Sequence, residues 1–123
     1  MGTIRSYRDL TAWQKSYALV LMVYEVTQRF PKLEQFGLPQ QLRRASVSVP
    51  SNIAEGWGRK SRVDYVRFLK MARGSMYEVQ TQLSIASDLG FMTQEHEIHE
   101  LAAESERVLN GLIRALENSE TVH

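Results

Sequence analysis

The most constraining feature of this sequence is a strict alternation of four- and three-residue steps between apolar positions in its second half. The positions are Tyr65, Leu69, Ala72, Met76, Val79, Leu83 and Ala86. Such steps keep one face of a helix turned toward a near-parallel neighbouring helix. Ser61 and Asp64 have capping-box spacing, and Gly90 is placed as a left-handed C-cap. We therefore predict a helix up to Leu89 that packs lengthwise in a bundle.

Three other segments also repeat apolar residues at helical spacing. The first covers residues 9–29, the second residues 38–58, and the fourth starts at Thr93. The row of the first helix that is expected to face the core is Leu10, Trp13, Tyr17, Val20, Tyr24 and Thr27. Short connections favour an up-down-up-down order, and 123 residues suffice for one core. The predicted fold is all-α, a single four-helix bundle domain over residues 1–123.

The first helix carries a second apolar row that is displaced from the first. Its members are Ala12, Leu19, Val23, Val26 and Phe30. A helix that is apolar on most of its circumference has to be buried on two sides, and large exposed apolar patches are unusual in monomers. We therefore predict a homo-oligomer with Leu19, Val23, Val26 and Phe30 at the subunit interface.

Charge is segregated along the chain although the formal net charge is only +1. Residues 40–75 carry eight basic and two acidic side chains, whereas residues 76–123 carry two basic and nine acidic ones. The basic set is Arg43, Arg44, Arg59, Lys60, Arg62, Arg67, Lys70 and Arg73. Arginine forks suit phosphate, and Trp57 and Tyr65 lie close enough in sequence to stack on bases. Contact with nucleic acid is one interpretation, and charge balance against the acidic last helix is the other.

Catalytic and metal sites have little support in the sequence. His96, His99 and Glu100 lie within one helical turn, but the histidine spacing is three rather than the four of a metalloprotease helix, with no third ligand evident. Residues 56–61, GWGRKS, lack the glycine spacing and the preceding strand of a phosphate-binding loop. No serine, histidine and carboxylate set indicates a triad. We expect no enzyme activity, no cofactor and no metal.

The compartment is expected to be the cytoplasm. The chain has no cysteine, its first ten residues contain no apolar signal region, and its longest apolar run, residues 17–24, is too short to span a membrane.

Residues 40–59, QQLRRASVSVPSNIAEGWGR, and residues 68–83, FLKMARGSMYEVQTQL, carry a family resemblance. Together with DLTAWQKS at 9–16 and FPKLEQFGLPQQLRRA at 30–45, they resemble the four-helix proteins encoded in intervening sequences of bacterial 23S ribosomal RNA genes. They also resemble a relative of that family, the accessory variability-determinant protein of diversity-generating retroelements. The matching positions beyond the arginines are Pro50, Asn52, Glu55, Gly56, Gly74 and Ser75.

This resemblance implies a ring-like homopentamer, binding to nucleic acid and, from the retroelement relative, binding to a reverse transcriptase. It implies no catalytic residue. For the matching positions we expect that Asn52 satisfies a carbonyl freed by Pro50 and that Glu55 pairs with Arg59. Gly74 is expected to allow close approach of another helix. Two functions follow as hypotheses: an oligomeric adaptor that contacts RNA or DNA phosphates, or a scaffold that docks a protein partner.

Overall fold

The computed structural model describes residues 3–34 and 37–121, and this part of the chain contains helices and no strand. The four long helices are α1 (Thr11–Thr27), α2 (Leu38–Trp57), α3 (Arg62–Asp88) and α4 (Glu97–Thr121). Two short 3-10 turns, Tyr7–Asp9 and Lys32–Glu34, precede α1 and α2. Each helix packs on the next and α4 closes onto α1, which are the neighbour relations of an up-down-up-down bundle. The all-α four-helix prediction is confirmed. Gln35 and Phe36, within the segment that carries the resemblance, lie outside the described residues.

The ends of α3 agree with the sequence prediction, whereas α4 starts later than expected. The Ser61 hydroxyl accepts the Asp64 N–H at 3.1 Å, and Gly90 takes a φ of 80° after the helix. In α4 the helix begins at Glu97 rather than Thr93. The reason is local, because the Nδ1 atom of His96 accepts the Ile98 N–H at 3.1 Å and so serves the first turn as a cap.

The structure changes the predicted inside and outside of α1 in part, since Leu10 and Thr27 of the predicted core row are buried. The exposed fractions of Leu19, Val23, Val26 and Phe30 within one protomer are 5% or less, so these residues belong to the bundle core. Their assignment to a subunit interface is therefore wrong. The predicted core row instead contains Tyr17 and Tyr24, which are 47% and 43% exposed. Tyrosine hydroxyls need a hydrogen-bonding partner, and at the surface water supplies one, whereas aliphatic side chains lose nothing by full burial.

Helices α2 and α3, which are in more extensive contact than any other helix pair of the described chain, approach each other closely at Gly56. A Cβ atom on Gly56 would lie 2.9 Å from the Phe68 Cβ and 3.1 Å from the Tyr65 carbonyl oxygen. Both atoms belong to, or sit directly on, the α3 backbone, so they have little room to move. Only glycine allows this crossing at its present distance.

We expect Gly56→Ala to lower the free energy of unfolding by about 2 kcal/mol, because the overpacking cost exceeds the helix propensity that alanine gains. Gly58→Ala is the matched control, since the nearest atom to its added Cβ would be 3.6 Å away. Urea denaturation of both variants measures the difference. Equal stability of the two variants would show that α2 and α3 can move apart at Gly56 without lowering the free energy of unfolding.

A polar network ties α2 to α3 beside the proline. The Asn52 side chain donates to the Ser48 carbonyl oxygen at 2.9 Å and to the Ser48 Oγ at 3.0 Å. The Ser75 hydroxyl reaches the same Ser48 Oγ at 2.8 Å. The carbonyl that Pro50 frees is that of Ser46, so the expected role of Asn52 is corrected to a link through Ser48. Helix α2 continues through Pro50 without interruption.

Gly74 does not allow close approach of a helix within the protomer. In the described chain, no atom beyond Gly74, its two neighbours and its own helix backbone lies within 4 Å of the position its Cβ would take, and the residue is exposed. The expected packing role of Gly74 therefore has no partner inside this bundle, where Gly56 fills that role instead.

Candidate nucleic-acid interface

The joint between α2 and α3 gathers four cationic side chains at one end of the bundle. Helix α2 ends at Trp57 and α3 begins at Arg62, so Arg59, Lys60 and Arg62 lie within one short connection. Arg67 follows little more than one helical turn into α3. All four side chains are exposed. We call Arg59, Lys60, Arg62 and Arg67 the joint cluster.

Arg59 and Arg67 are held in place by weak surface contacts. Arg59 pairs with Glu55 at 2.7 Å, which confirms the expected pair, and Arg67 pairs with Asp64 at 3.1 Å. Their guanidinium carbons lie 4.5 and 4.8 Å from the centroid of the Phe68 ring. Exposed ion pairs of this kind contribute about 0–1 kcal/mol. A phosphate can therefore compete for both guanidinium groups at small cost.

Lys60 and Arg62 form no ion pair within residues 3–34 and 37–121. Their charges are consequently balanced only by solvent and salt. They are the two members of the joint cluster that are most available to an incoming anion.

The aromatic side chains near the joint are arranged differently from the sequence-based expectation. Trp57 and Tyr65 pack edge to face with ring centroids 6.3 Å apart, and both are only partly exposed. Burial raises the pKa of the Tyr65 phenol above its ordinary value, which favours the neutral form. Phe68, which the sequence reading did not single out, is the ring that contacts the cations. A signal for it existed, because Phe68 directly follows Arg67 near the start of α3, nine residues after Arg59.

The remaining basic residues lie away from the joint. Arg43 is half-buried, donates from Nε to the Thr27 hydroxyl at 2.8 Å and stacks over Tyr24. Lys70 pairs with Glu117 at 2.8 Å and Arg73 donates to Asn110 at 3.1 Å. Only the Lys70 pair matches the charge-balance interpretation, because Asn110 is neutral. Arg44 is exposed and without an ion-pair partner in the described chain, about 21 Å along α2 from the joint.

The sequence model of the 23S rRNA-intervening sequence protein family matches residues 8–114. This chain belongs to that family. The match includes all four helices down to residue 114 and the whole joint cluster.

A solved structure supports the fold of this family member independently. It is the crystal structure of a protein with unknown function from the S23 ribosomal protein family of Bacteroides thetaiotaomicron. The TM-score is 0.75 at 21% identity, covering 84% of this chain and 98% of that chain. At this identity the likeness shows the fold alone. No curated protein matches the chain.

His96, directly before α4, and His99, within α4, have structural contacts in this intervening-sequence family member. His96 caps the helix, and the His99 Nε2 lies 3.1 Å from the Ser87 hydroxyl at the end of α3. Among the described residues, no three histidine or acidic side chains are grouped closely enough to hold a metal ion. In the same part of the chain, no helix is both long and apolar enough to cross a membrane.

Proposed function

We propose that this member of the 23S rRNA-intervening sequence protein family is a non-enzymatic, cytoplasmic, oligomeric adaptor that binds the phosphates of RNA or DNA. The binding surface is the joint cluster. The observation that carries the proposal is the exposure of Lys60 and Arg62 without an ion pair, flanked by Arg59 and Arg67 in weak pairs. The four cationic side chains of the joint cluster lie at one end of the bundle, where they could contact about four phosphates of a flexible strand.

Little base specificity is expected from this surface. Arginine and lysine contacts to phosphate position a nucleic acid but carry no direct sequence information. Trp57 and Tyr65, the rings that would read or stack on bases, are packed against each other. The ligand class is therefore a structured or single-stranded nucleic acid recognised by its backbone.

The oligomer is the second part of the proposal. The resemblance to the retroelement accessory protein implies a ring-like homopentamer, and such a ring would present the joint cluster several times to one strand. The apolar outer surface of α1, with Tyr17, Leu21 and Tyr24 exposed, supports burial against another molecule.

Salt dependence tests the binding. With about four phosphate contacts on a single strand, the logarithm of the affinity should fall with the logarithm of the salt concentration with a slope of about −3. Fluorescence anisotropy with a labelled single-stranded RNA, titrated at several salt concentrations from about 50 mM upward, measures this slope. Absence of binding at the lowest salt concentration, or an affinity that does not change with salt concentration, would reject the nucleic-acid function.

Co-purification from the native host separates this function from that of a protein-docking scaffold for a partner such as a reverse transcriptase. A nuclease-sensitive partner supports the adaptor. A protein partner that persists after nuclease treatment would favour the scaffold instead.

A further inference from the structure

A cavity lined by two cationic side chains lies between the end of α1 and the start of α2, at the end of the bundle opposite the joint cluster. Its volume is about 450 Å³. The lining includes Thr27 on α1, Lys32 in the following 3-10 turn, and Pro39 and Arg43 on α2. About 27 Å of helix separates Pro39 from Trp57, where the joint begins. The cavity is therefore distinct from the joint cluster.

The guanidinium group of Arg43 is held in one orientation at this cavity. Its Nε donates to the Thr27 hydroxyl at 2.8 Å, and its central carbon lies 5.2 Å from the centroid of the Tyr24 ring. The Thr27 hydroxyl donates in turn to the Val23 carbonyl oxygen at 2.7 Å, so it meets Arg43 as an acceptor. Thr27 is 3% exposed, which leaves this anchor little freedom. These partners fix the guanidinium group without neutralising its charge.

The two terminal amines of Arg43, Nη1 and Nη2, have no hydrogen-bond partner among the residues that the structure describes. Arg43 is half-buried and forms no ion pair in the same part of the chain. A charge that loses part of its hydration without gaining a counter-charge is unfavourable. An anion in the cavity would pair end-on with both amines, in the fork geometry that a guanidinium group offers.

The charge of the lining favours a phosphate over a carboxylate. Lys32 is exposed and without an ion pair in the described chain, and it adds a second positive charge to that of Arg43. None of the described side chains that line the cavity is acidic. A phosphate monoester carries a charge of about −1.5 to −2 near pH 7, whereas a carboxylate carries a single negative charge. Two cations without a carboxylate therefore match a phosphate monoester better.

The rest of the wall is largely apolar. Phe30, Pro31 and Pro39 line the cavity, and Phe30 is only 5% exposed because it packs against Phe91 with ring centroids 5.5 Å apart. The volume lies within the range of about 300–1,000 Å³ that is typical of small-molecule sites. A phosphate group alone would fill a small part of it. The wall fits a ligand with a phosphate at one end and an apolar body.

We propose that this cavity binds a small organic phosphate monoester. Arg43 holds the phosphate through Nη1 and Nη2, Lys32 neutralises its second charge, and Phe30, Pro31 and Pro39 contact the organic part. This site goes beyond the proposed RNA function and does not depend on it, because none of its residues belongs to the joint cluster. It assigns Arg43 a ligand other than a nucleic-acid strand.

Isothermal titration calorimetry with phenyl phosphate tests the site. Phenyl phosphate should bind about tenfold more tightly than inorganic phosphate, which lacks the apolar body, and than benzoate, which lacks the second charge. Lys32→Gln should lower the affinity for phenyl phosphate about tenfold. Arg43→Lys should lower it by about tenfold or more, because lysine replaces the fork by a point charge.

Arg29→Gln is the matched control for Lys32→Gln. Arg29 is an exposed cation just after α1, without an ion pair in the described structure, and it does not line the cavity. This variant should bind phenyl phosphate as wild type does, and so should the double variant Lys60→Glu with Arg62→Glu. Circular dichroism verifies that Arg43→Lys is folded, whereas Lys32 is an exposed residue whose replacement leaves the core intact.

Absence of binding at millimolar phenyl phosphate would overturn the proposal. An equal loss of affinity in Arg29→Gln, or a loss in the joint-cluster double variant, would overturn it as well, because the anion would then lie elsewhere. Benzoate or inorganic phosphate that bound as tightly as phenyl phosphate would overturn the assigned ligand class. Failure of the RNA function would appear in a different measurement, the anisotropy titration, which Lys32→Gln should leave unchanged.

Discussion

Replacing both Lys60 and Arg62 with glutamate is expected to reduce the affinity for single-stranded RNA about a hundredfold at about 50 mM salt. These two side chains have no ion pair within the described chain, so their charges are fully available to phosphate. Each lost cationic contact should also lower the salt slope by about one unit. The new carboxylates add repulsion and offer Arg59 and Arg67 competing partners. Anisotropy titrations at two or more salt concentrations measure both effects.

Arg107→Glu with Arg114→Glu is the matched control for that experiment. Both residues are exposed on α4, without an ion pair in the described structure, and the double substitution changes the net charge by the same amount. An equal loss of affinity in the control would mean that overall charge, rather than the joint cluster, determines binding. Both double variants should melt close to the wild-type temperature, because exposed charges contribute little to stability.

The sequence predicted the buried face of a helix correctly where that helix has a single row of apolar residues. Helix α3 has a single apolar seam with capping residues at both ends, and the structure buries Leu69, Met76, Val79 and Leu83 completely or nearly so. Helix α1 has two apolar rows of the same period, and periodicity cannot rank them. The choice depends on packing, since small or aliphatic residues such as Ala12 and Leu19 fit between three other helices and tyrosines do not.

The last helix shows a smaller error of the same kind. For this helix the sequence predicts a seam of Ile98, Leu101, Ser105, Val108, Leu112 and Leu116. Leu101 and Leu112 are only partly buried, whereas Ala102 and Ile113 lie fully in the core. Adjacent apolar residues make two registers equally plausible, and only the neighbours of α4 select one.

In the candidate site, the contact between residues close in sequence was predicted, whereas the contacts between two helices were not. Arg59 and Glu55 are four residues apart on one helix, so their pair follows from helix geometry and was predicted. The pairing of Lys70 with Glu117 and of Arg73 with Asn110 joins α3 to α4. These contacts depend on the relative rotation of two helices, which the basic and acidic compositions of the segments do not specify. The joint cluster was identifiable because the chain itself keeps its members together.

Gly74→Leu is expected to weaken RNA binding about a hundredfold without changing any charge. Gly74 is exposed and has no neighbour within the described part of its own protomer at its Cβ position, so we expect leucine there to block contact with another copy. The reason for weaker binding is multivalency, because the proposed ring would present several joint clusters to one strand, and avidity exceeds single-site affinity by about 10²–10⁴-fold. The effect should therefore depend on RNA length. A strand long enough to reach neighbouring clusters loses the most affinity, and a strand of about four nucleotides, which engages a single cluster, loses almost none. Paired anisotropy titrations with the short and the long RNA measure this difference.

Gly111→Leu should leave both RNAs bound as in wild type, since its added side chain lies on α4, away from the joint cluster. Misfolding should not be the cause of the weaker binding of Gly74→Leu, because leucine favours helix over glycine and finds open space at this position. The circular dichroism of Gly74→Leu should therefore match that of Gly111→Leu. If a monomeric Gly74→Leu protein held the long RNA as tightly as wild type does, a single protomer would contain the whole binding surface. The ring would then serve some purpose other than avidity, and the joint cluster alone would account for the function.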